Sequence, residues 1–209
     1  MKKILFFTLI SFACCIAHAQ FGITGGLNIA KYDYVSDRTD VLSFNAGIFY
    51  RSIKKKGVLA VQPALLYTGK GAVKYPEIDV NNDILKYTNH INYAELSLPF
   101  IFSLPIDDEG ILRFEFGVGP YAAYAVHATY TAETYEGDKT TANYKIGSTN
   151  TDDFKPFDAG LSIMGSMKIS SVGFTLQYDL GLSNVNPVTT APPLKMRALM
   201  FNMFIYFGK

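Results

Sequence analysis

The chain has two cysteines, Cys14 and Cys15, both near its start. Downstream of them, no disulfide framework and no thiolate metal site is available. Histidine is almost as scarce: beyond His18 there are only His90 and His127 to serve acid–base chemistry. Charged residues are 18% of the chain, below the ~25% of an ordinary soluble domain. The formal net charge of +1 leaves no footprint for nucleic acid. Past the N-terminal segment, no apolar run approaches the ~18 residues of a membrane-spanning helix.

The N-terminal segment itself has the layout of an export signal. Lys2 and Lys3 give a positive start, Ile4 to Ile16 is a short apolar stretch, and Ala17-His18-Ala19 is an A-x-A cleavage site before Gln20. It is too short and wrongly flanked to span a bilayer. Residues 1–19 are therefore expected to be a signal peptide and 20–209 a single domain. A lipoprotein reading is open through Cys14 and Cys15, but Ser11 and Phe12 match a lipobox poorly.

What the chain does have is alternation. Between Ile91 and Val126, Leu96, Leu98, Phe100 and Phe102 share one parity, and Tyr93, Glu95, Ser97 and Ser103 share the other. After Asp107-Asp108-Glu109-Gly110 the pattern resumes. Leu112, Phe114, Phe116, Val118, Tyr124 and Val126 stand against Arg113, Glu115, Gly117 and Gly119. Strict alternation predicts strands, because successive side chains point to opposite faces. The short break predicts an antiparallel hairpin. The same unit recurs. Phe21, Ile23, Leu27 and Ile29 mark a first strand; Phe44, Ala46, Ile48 and Tyr50 a second; Leu59, Val61, Leu65 and Tyr67 a third. After the central hairpin come Leu161, Ile163 and Met167, then Val172 to Leu182, then Leu199 to Phe207. In each, the opposite parity holds small, polar or ionisable residues.

The links alternate as well. Those after the first, third, fifth and seventh strands are long and polar, with residues 69–90 and 127–155 the largest; the others are short. Long loops on one side and short turns on the other are the mark of an outer-membrane barrel, with both termini in the periplasm. Aromatics fall near both strand ends: Phe44, Tyr67, Tyr124 and Phe157 at one, Tyr50, Phe102, Phe114, Phe174 and Phe207 at the other. The expected fold class is all-β, an eight-stranded antiparallel up-and-down transmembrane β-barrel in the cell outer membrane. The competing fold is a water-soluble lipocalin-type barrel, which would reverse the pattern and put the bulky parity inside.

Several segments resemble the PorT-like outer-membrane β-barrel family of the Bacteroidota. They are Gly26-Leu27-Asn28, Gln62-Pro63-Ala64-Leu65-Leu66-Tyr67, Tyr93-Ala94-Glu95-Leu96-Ser97-Leu98-Pro99, Gly117-Val118-Gly119-Pro120-Tyr121 and Tyr178-Asp179-Leu180-Gly181-Leu182-Ser183-Asn184. They come in order along nearly the whole exported chain. The resemblance implies the eight-stranded barrel but no one activity, and its namesake is tied to protein secretion. Pro63, Pro99 and Pro120 stand mid-strand, where each removes a ladder donor, so bulges or irregular pairing are expected there.

The candidate site is a charge network in the lumen, formed by Arg51, Glu95, Arg113, Glu115, Asp158, Lys168 and Asp179. A hairpin centred at Asp108 would put Arg113 opposite Ser103 and Glu115 opposite Ile101. Arg51, Arg113, Glu115 and Lys168 would then gather in the periplasmic third. Glu95 and Asp158 would lie in the upper third and Asp179 near mid-height. Eight strands leave little room inside, so a salt-bridged plug is expected over a polar path for a solute or proton. Asp79-Val80-Asn81-Asn82-Asp83 starts like a calcium loop, but Ile84 stands where Gly belongs and His90 where a bidentate Glu belongs. No helix follows Gly117-Val118-Gly119-Pro120 to receive a phosphate. Phe207, near the end, fits either a barrel-assembly signal or an interfacial anchor.

No catalytic, cofactor-binding or metal-binding residue is therefore assigned and no cofactor is expected. The expected role is non-enzymatic, binding or structural in the cell envelope. Its partners would be outer-membrane lipid and an extracellular or envelope protein met through loops 70–90 and 127–155. The alternatives are a component of a secretion or envelope-assembly apparatus and, from a different class, a lipid-modifying enzyme at the rim using His90 or His127.

Overall fold

Side chains that alternate in character need an extended backbone with two unlike faces. In the computed structural model, which describes residues 19–33, 38–52, 58–76, 83–188 and 190–207, the named elements are all strands. They are β1 (Ala19–Asp33), β2 (Arg38–Thr39), β3 (Val41–Ser52), β4 (Leu59–Val61), β5 (Ala64–Lys74), β6 (Ile84–Ser97), β7 (Phe100–Pro105), β8 (Leu112–Thr134), β9 (Lys139–Asn143), β10 (Phe157–Ile169), β11 (Val172–Gly181) and β12 (Lys195–Phe207). Pairing runs through β1, β3, β5, β6, β8, β10, β11 and β12 and returns to β1, so eight strands close into a ring. Every one of these pairings is antiparallel. β7 and β4 carry the wall on below β6 and β5, while β2 and β9 add short strips to β5 and β8.

The faces of the ring are sorted by polarity. Phe100, Phe116, Leu176 and Phe201 are about half exposed, at 49%, 50%, 54% and 57%, whereas Glu115 is 1% exposed. This is the reverse of a water-soluble barrel. The bulky parity looks out and the ionisable parity looks in.

Proline explains where two strands of the wall are interrupted. Gln62-Pro63 separates β4 from β5, and Leu98-Pro99 separates β6 from β7. Each proline lacks an N–H, but its carbonyl still accepts a bond across the gap. Tyr50 N–H donates to Pro63 O at 2.9 Å, Gln62 N–H to Pro99 O at 3.0 Å and Leu98 N–H to Pro120 O at 3.0 Å. Pro120 departs from expectation, since β8 runs through it in unbroken register with β10. One register shift between β6 and β8 falls instead between Asn92 and Tyr93.

Two further expectations need correction. The hairpin between β7 and β8 is centred on Glu109, so Glu115 faces Ser103 and Arg113 faces Pro105. The cause is local. The Asp107 carboxylate accepts from Leu112 N–H at 3.1 and 3.2 Å, and Gly110 takes a left-handed φ of 69°. The slip is two residues, so every side chain keeps its face. The long "loops" are also largely strand. β5 and β6 remain paired from Lys70↔Ile91 to Lys74↔Tyr87, and β8 reaches Thr134, where β9 folds back on it. At 23 residues, β8 is far longer than the ~9–11 residues that a tilted membrane strand needs. The signal segment up to residue 18, the calcium-like start at 79–82 and the short link at 53–57 lie outside the described residues.

The short-turn end of the interior is filled by Phe49, Phe204 and Tyr206, packed edge to face. The Phe49 and Tyr206 ring centres are 5.0 Å apart and those of Phe204 and Tyr206 5.3 Å apart. Glycine makes room for them. A Cβ on Gly22 would lie 2.2 Å from Phe49 Cζ. Gly22→Val should therefore overpack this end and lower unfolding stability by about 1–3 kcal/mol. Gly165→Val, where an added Cβ meets nothing within 4 Å, should move it by less than about 0.5 kcal/mol. Urea unfolding of the two variants in lipid or detergent measures the difference.

Candidate functional site: the charged lumen

Inward parity brings charge into a space with little water, so each group needs a partner. The partners fall into two clusters. Near the short turns, Arg51 Nη1 lies 2.7 and 2.8 Å from the two Glu115 carboxylate oxygens, and its Nε donates to Gln62 Oε1 at 2.8 Å. Ser103 Oγ donates to Glu115 at 2.9 Å while accepting from Arg113 Nε at 2.7 Å. Tyr206 lies under two cations, with Arg51 Cζ 5.1 Å and Lys168 Nζ 4.8 Å from its ring centre. Arg51 and Glu115 are nearly inaccessible, at 3% and 2% side-chain exposure. A close contact to both carboxylate oxygens, backed by further hydrogen bonds, is what lets such a pair survive desolvation.

The second cluster is centred on Lys70, in β5. Its ammonium lies 2.9 Å from Glu95, 3.4 Å from Asp158 and 3.5 Å from Asp179. It also sits 4.2 Å from the Tyr121 ring centre. Neutral donors hold the two aspartates: Tyr121 and Ser183 hydroxyls donate to Asp158 at 3.0 and 2.7 Å, and Ser162 and Gln177 to Asp179 at 2.6 and 2.8 Å. Lys70 thereby links β5 to β6, β10 and β11.

Lys70 is the residue that pattern reading missed. Gly69-Lys70-Gly71 reads as the start of a loop, past the last apolar position of the third strand at Tyr67. Carried two residues further, the inward parity of Ala64, Leu66 and Thr68 lands on Lys70. Of the expected network, Glu95, Asp158 and Asp179 meet on this lysine. Arg51, Arg113, Glu115 and Lys168 lie together at the other end, though Lys168 touches the Tyr206 ring rather than a carboxylate.

Between the clusters, Thr24, Gln62, Ser97, Thr175, Gln177 and Asn202 help line a cavity of about 30 Å³, room for about one water. Above Lys70 the mouth is closed by Tyr32, Ile91, Tyr93, Phe154, Val185 and Leu194. The Tyr32 and Phe154 rings stack at 6.1 Å. His90, on β6, pairs with Thr129, and His127, on β8, pairs with Asn92. Above the hydrocarbon-facing rows, Glu133 lies 3.1 Å from Lys86 and 3.4 Å from Lys139. The Lys86 hydrogen bond, with Lys139 adding to it, holds the Glu133 carboxyl below its ordinary range.

An antiparallel ring with hydrocarbon outside and ion pairs inside is built as an outer-membrane β-barrel protein is built. The chain belongs to the outer membrane protein beta-barrel domain family, whose profile matches residues 15–186. Among solved structures it is similar to Ail, the attachment invasion locus protein of Yersinia pestis, solved in complex with the heparin analogue sucrose octasulfate. Identity is 11%, with 90% of this chain and 97% of that one covered and a TM-score of 0.43. It is also similar to Neisserial surface protein A, at 11% identity, 90% and 97% coverage and a TM-score of 0.46. The outer membrane protein OprG of Pseudomonas aeruginosa is similar at 12% identity, 92% and 97% coverage and a TM-score of 0.46. No curated protein matches the chain.

Two outcomes follow from the site. Lys70→Met removes the cation from three buried carboxylates and should cost about 3–5 kcal/mol. Lys31→Met, at an exposed pair with Asp40, should cost under about 1 kcal/mol. Urea midpoints compare them. Because the Glu133 pKa is depressed in the fold, its contribution is fully present above its unfolded value of about 4.3 and is lost as pH falls through the folded value. Amide protection factors in β9, taken relative to the intrinsic exchange rate at each pH, should therefore fall below about pH 4, and Glu133→Gln should remove that pH dependence.

Proposed function

We propose that the chain is an eight-stranded up-and-down transmembrane barrel with a side-chain-filled lumen. On this reading it is a non-enzymatic binding or structural component of the outer membrane. The observation that carries the reading is the inverted sorting of side chains. Phe, Leu, Ile and Val stand exposed around the ring, which suits hydrocarbon, while the ion pairs sit inside. Residues 1–19 are read as the export signal and both chain ends as periplasmic, on the side of the short turns. The working surface is the opposite end, where β5, β6, β8 and β9 carry the sheet past the apolar rows. The ordered PorT-like segments favour a place among the PorT-like members. A secretion role would show as lost export when the gene is deleted.

The filled lumen is supported by the two ion clusters and the one-water cavity between them. The folded protein should fractionate with the outer membrane and change its gel migration on boiling. In planar bilayers it should give no discrete channel openings. Steady open-channel currents would overturn the filled lumen, and recovery in the soluble fraction would overturn the barrel.

A further inference from the structure

We propose that the short-turn mouth of the ring binds an oxyanion, phosphate or carboxylate, between Arg113 and Lys168. These two residues are direct cross-strand partners on β8 and β10 and share the inward face. Like charges set opposite each other in an antiparallel pair repel, and among the described residues the carboxylates of this end are engaged elsewhere. Glu115, the carboxylate of this end, is taken up by Arg51 and Ser103. The Asp107 carboxylate accepts from the Leu112 N–H and forms no ion pair with either cation. Among the described residues, neither Arg113 nor Lys168 has a carboxylate within ion-pair distance.

Their donors are free in the right number. Arg113 spends Nε and Nη2 on Ser103 and keeps Nη1. Lys168 Nζ lies over the Tyr206 ring and donates no hydrogen bond to a described residue. Both side chains are half-buried, so they are screened less than surface lysines yet remain reachable from water. An anion here would receive charge-assisted bonds from a guanidinium and an ammonium fixed by two strands and an aromatic floor. The lower cluster sets three cations, Arg51, Arg113 and Lys168, against one carboxylate, Glu115, and one bound anion would ease that imbalance.

The test is calorimetric titration of the full chain folded in detergent, with inorganic phosphate and separately with acetate. Ionic strength is held constant with chloride. Saturable binding of either anion is expected, and the tighter of the two identifies the group the mouth takes. Lys168→Gln and Arg113→Gln should each weaken that binding at least about tenfold, with Lys31→Gln as the unchanged control. Heat-modifiable gel migration confirms that each variant is folded. Should either variant fail to fold, Lys168→Arg, which keeps the charge, should retain binding within about threefold. The proposal is overturned if neither anion binds beyond chloride, or if folded Lys168→Gln binds as tightly as the parent.

Discussion

Everything in this molecule follows from one constraint, the need to satisfy every backbone N–H and C=O where there is no water. A sheet in hydrocarbon has no solvent to cover its edges, so it must close. Closure then dictates the two faces. A ring made of strands with period-two side chains must send half of them outward and half inward. The outward half meets lipid and is bulky. The inward half meets mostly itself, which is why it is small where strands crowd and why its charges gather in clusters. The prolines show how strictly the constraint is met. Pro63 and Pro99 each delete a donor, and the regular ladder lapses at those points while their carbonyls continue to accept bonds from Tyr50 and Gln62.

The inward charges cancel in number but not in place. Lys70 faces Glu95, Asp158 and Asp179 at one level, and Glu115 faces Arg51, Arg113 and Lys168 at the other. The lumen therefore carries a dipole along its axis, negative toward the long hairpins and positive toward the short turns. Each level gathers residues from strands far apart in sequence. An ion cluster of this kind need not add net stability, since desolvation consumes much of the Coulomb gain. Its contribution is to register. A two-residue slip between any pair of these strands would leave the hydrophobic sorting intact but would strand a buried charge.

That distinction also explains what was legible in the sequence. Period-two alternation is a strong signal, and it fixed the faces of Glu95, Arg113, Glu115, Asp158, Lys168 and Asp179 without any knowledge of register. Register is weaker because it is set by turn chemistry. The Asp107 side chain and the left-handed Gly110 moved the hairpin centre by one residue and every pairing by two. Strand length was the weakest signal. Beyond the hydrocarbon rows the outward parity becomes Thr, His and Lys, so a continuing strand reads as a loop. Lys70 was lost in this way, bracketed by Gly69 and Gly71.

Those glycines have a positional reason that closes the argument. A Cβ at Gly71 would lie 1.9 Å from the carbonyl oxygen of Asn89, and one at Gly69 would lie 2.0 Å from Ser43 Oγ. Backbone packing at Gly71 leaves no room for a side chain, and Lys70 beside it is fully buried. Its ammonium must be answered from within the ring, and three other strands supply the carboxylates. What looks in the sequence like loop punctuation is the packing that commits a cation to the barrel interior, and the acidic residues of β6, β10 and β11 are placed to meet it.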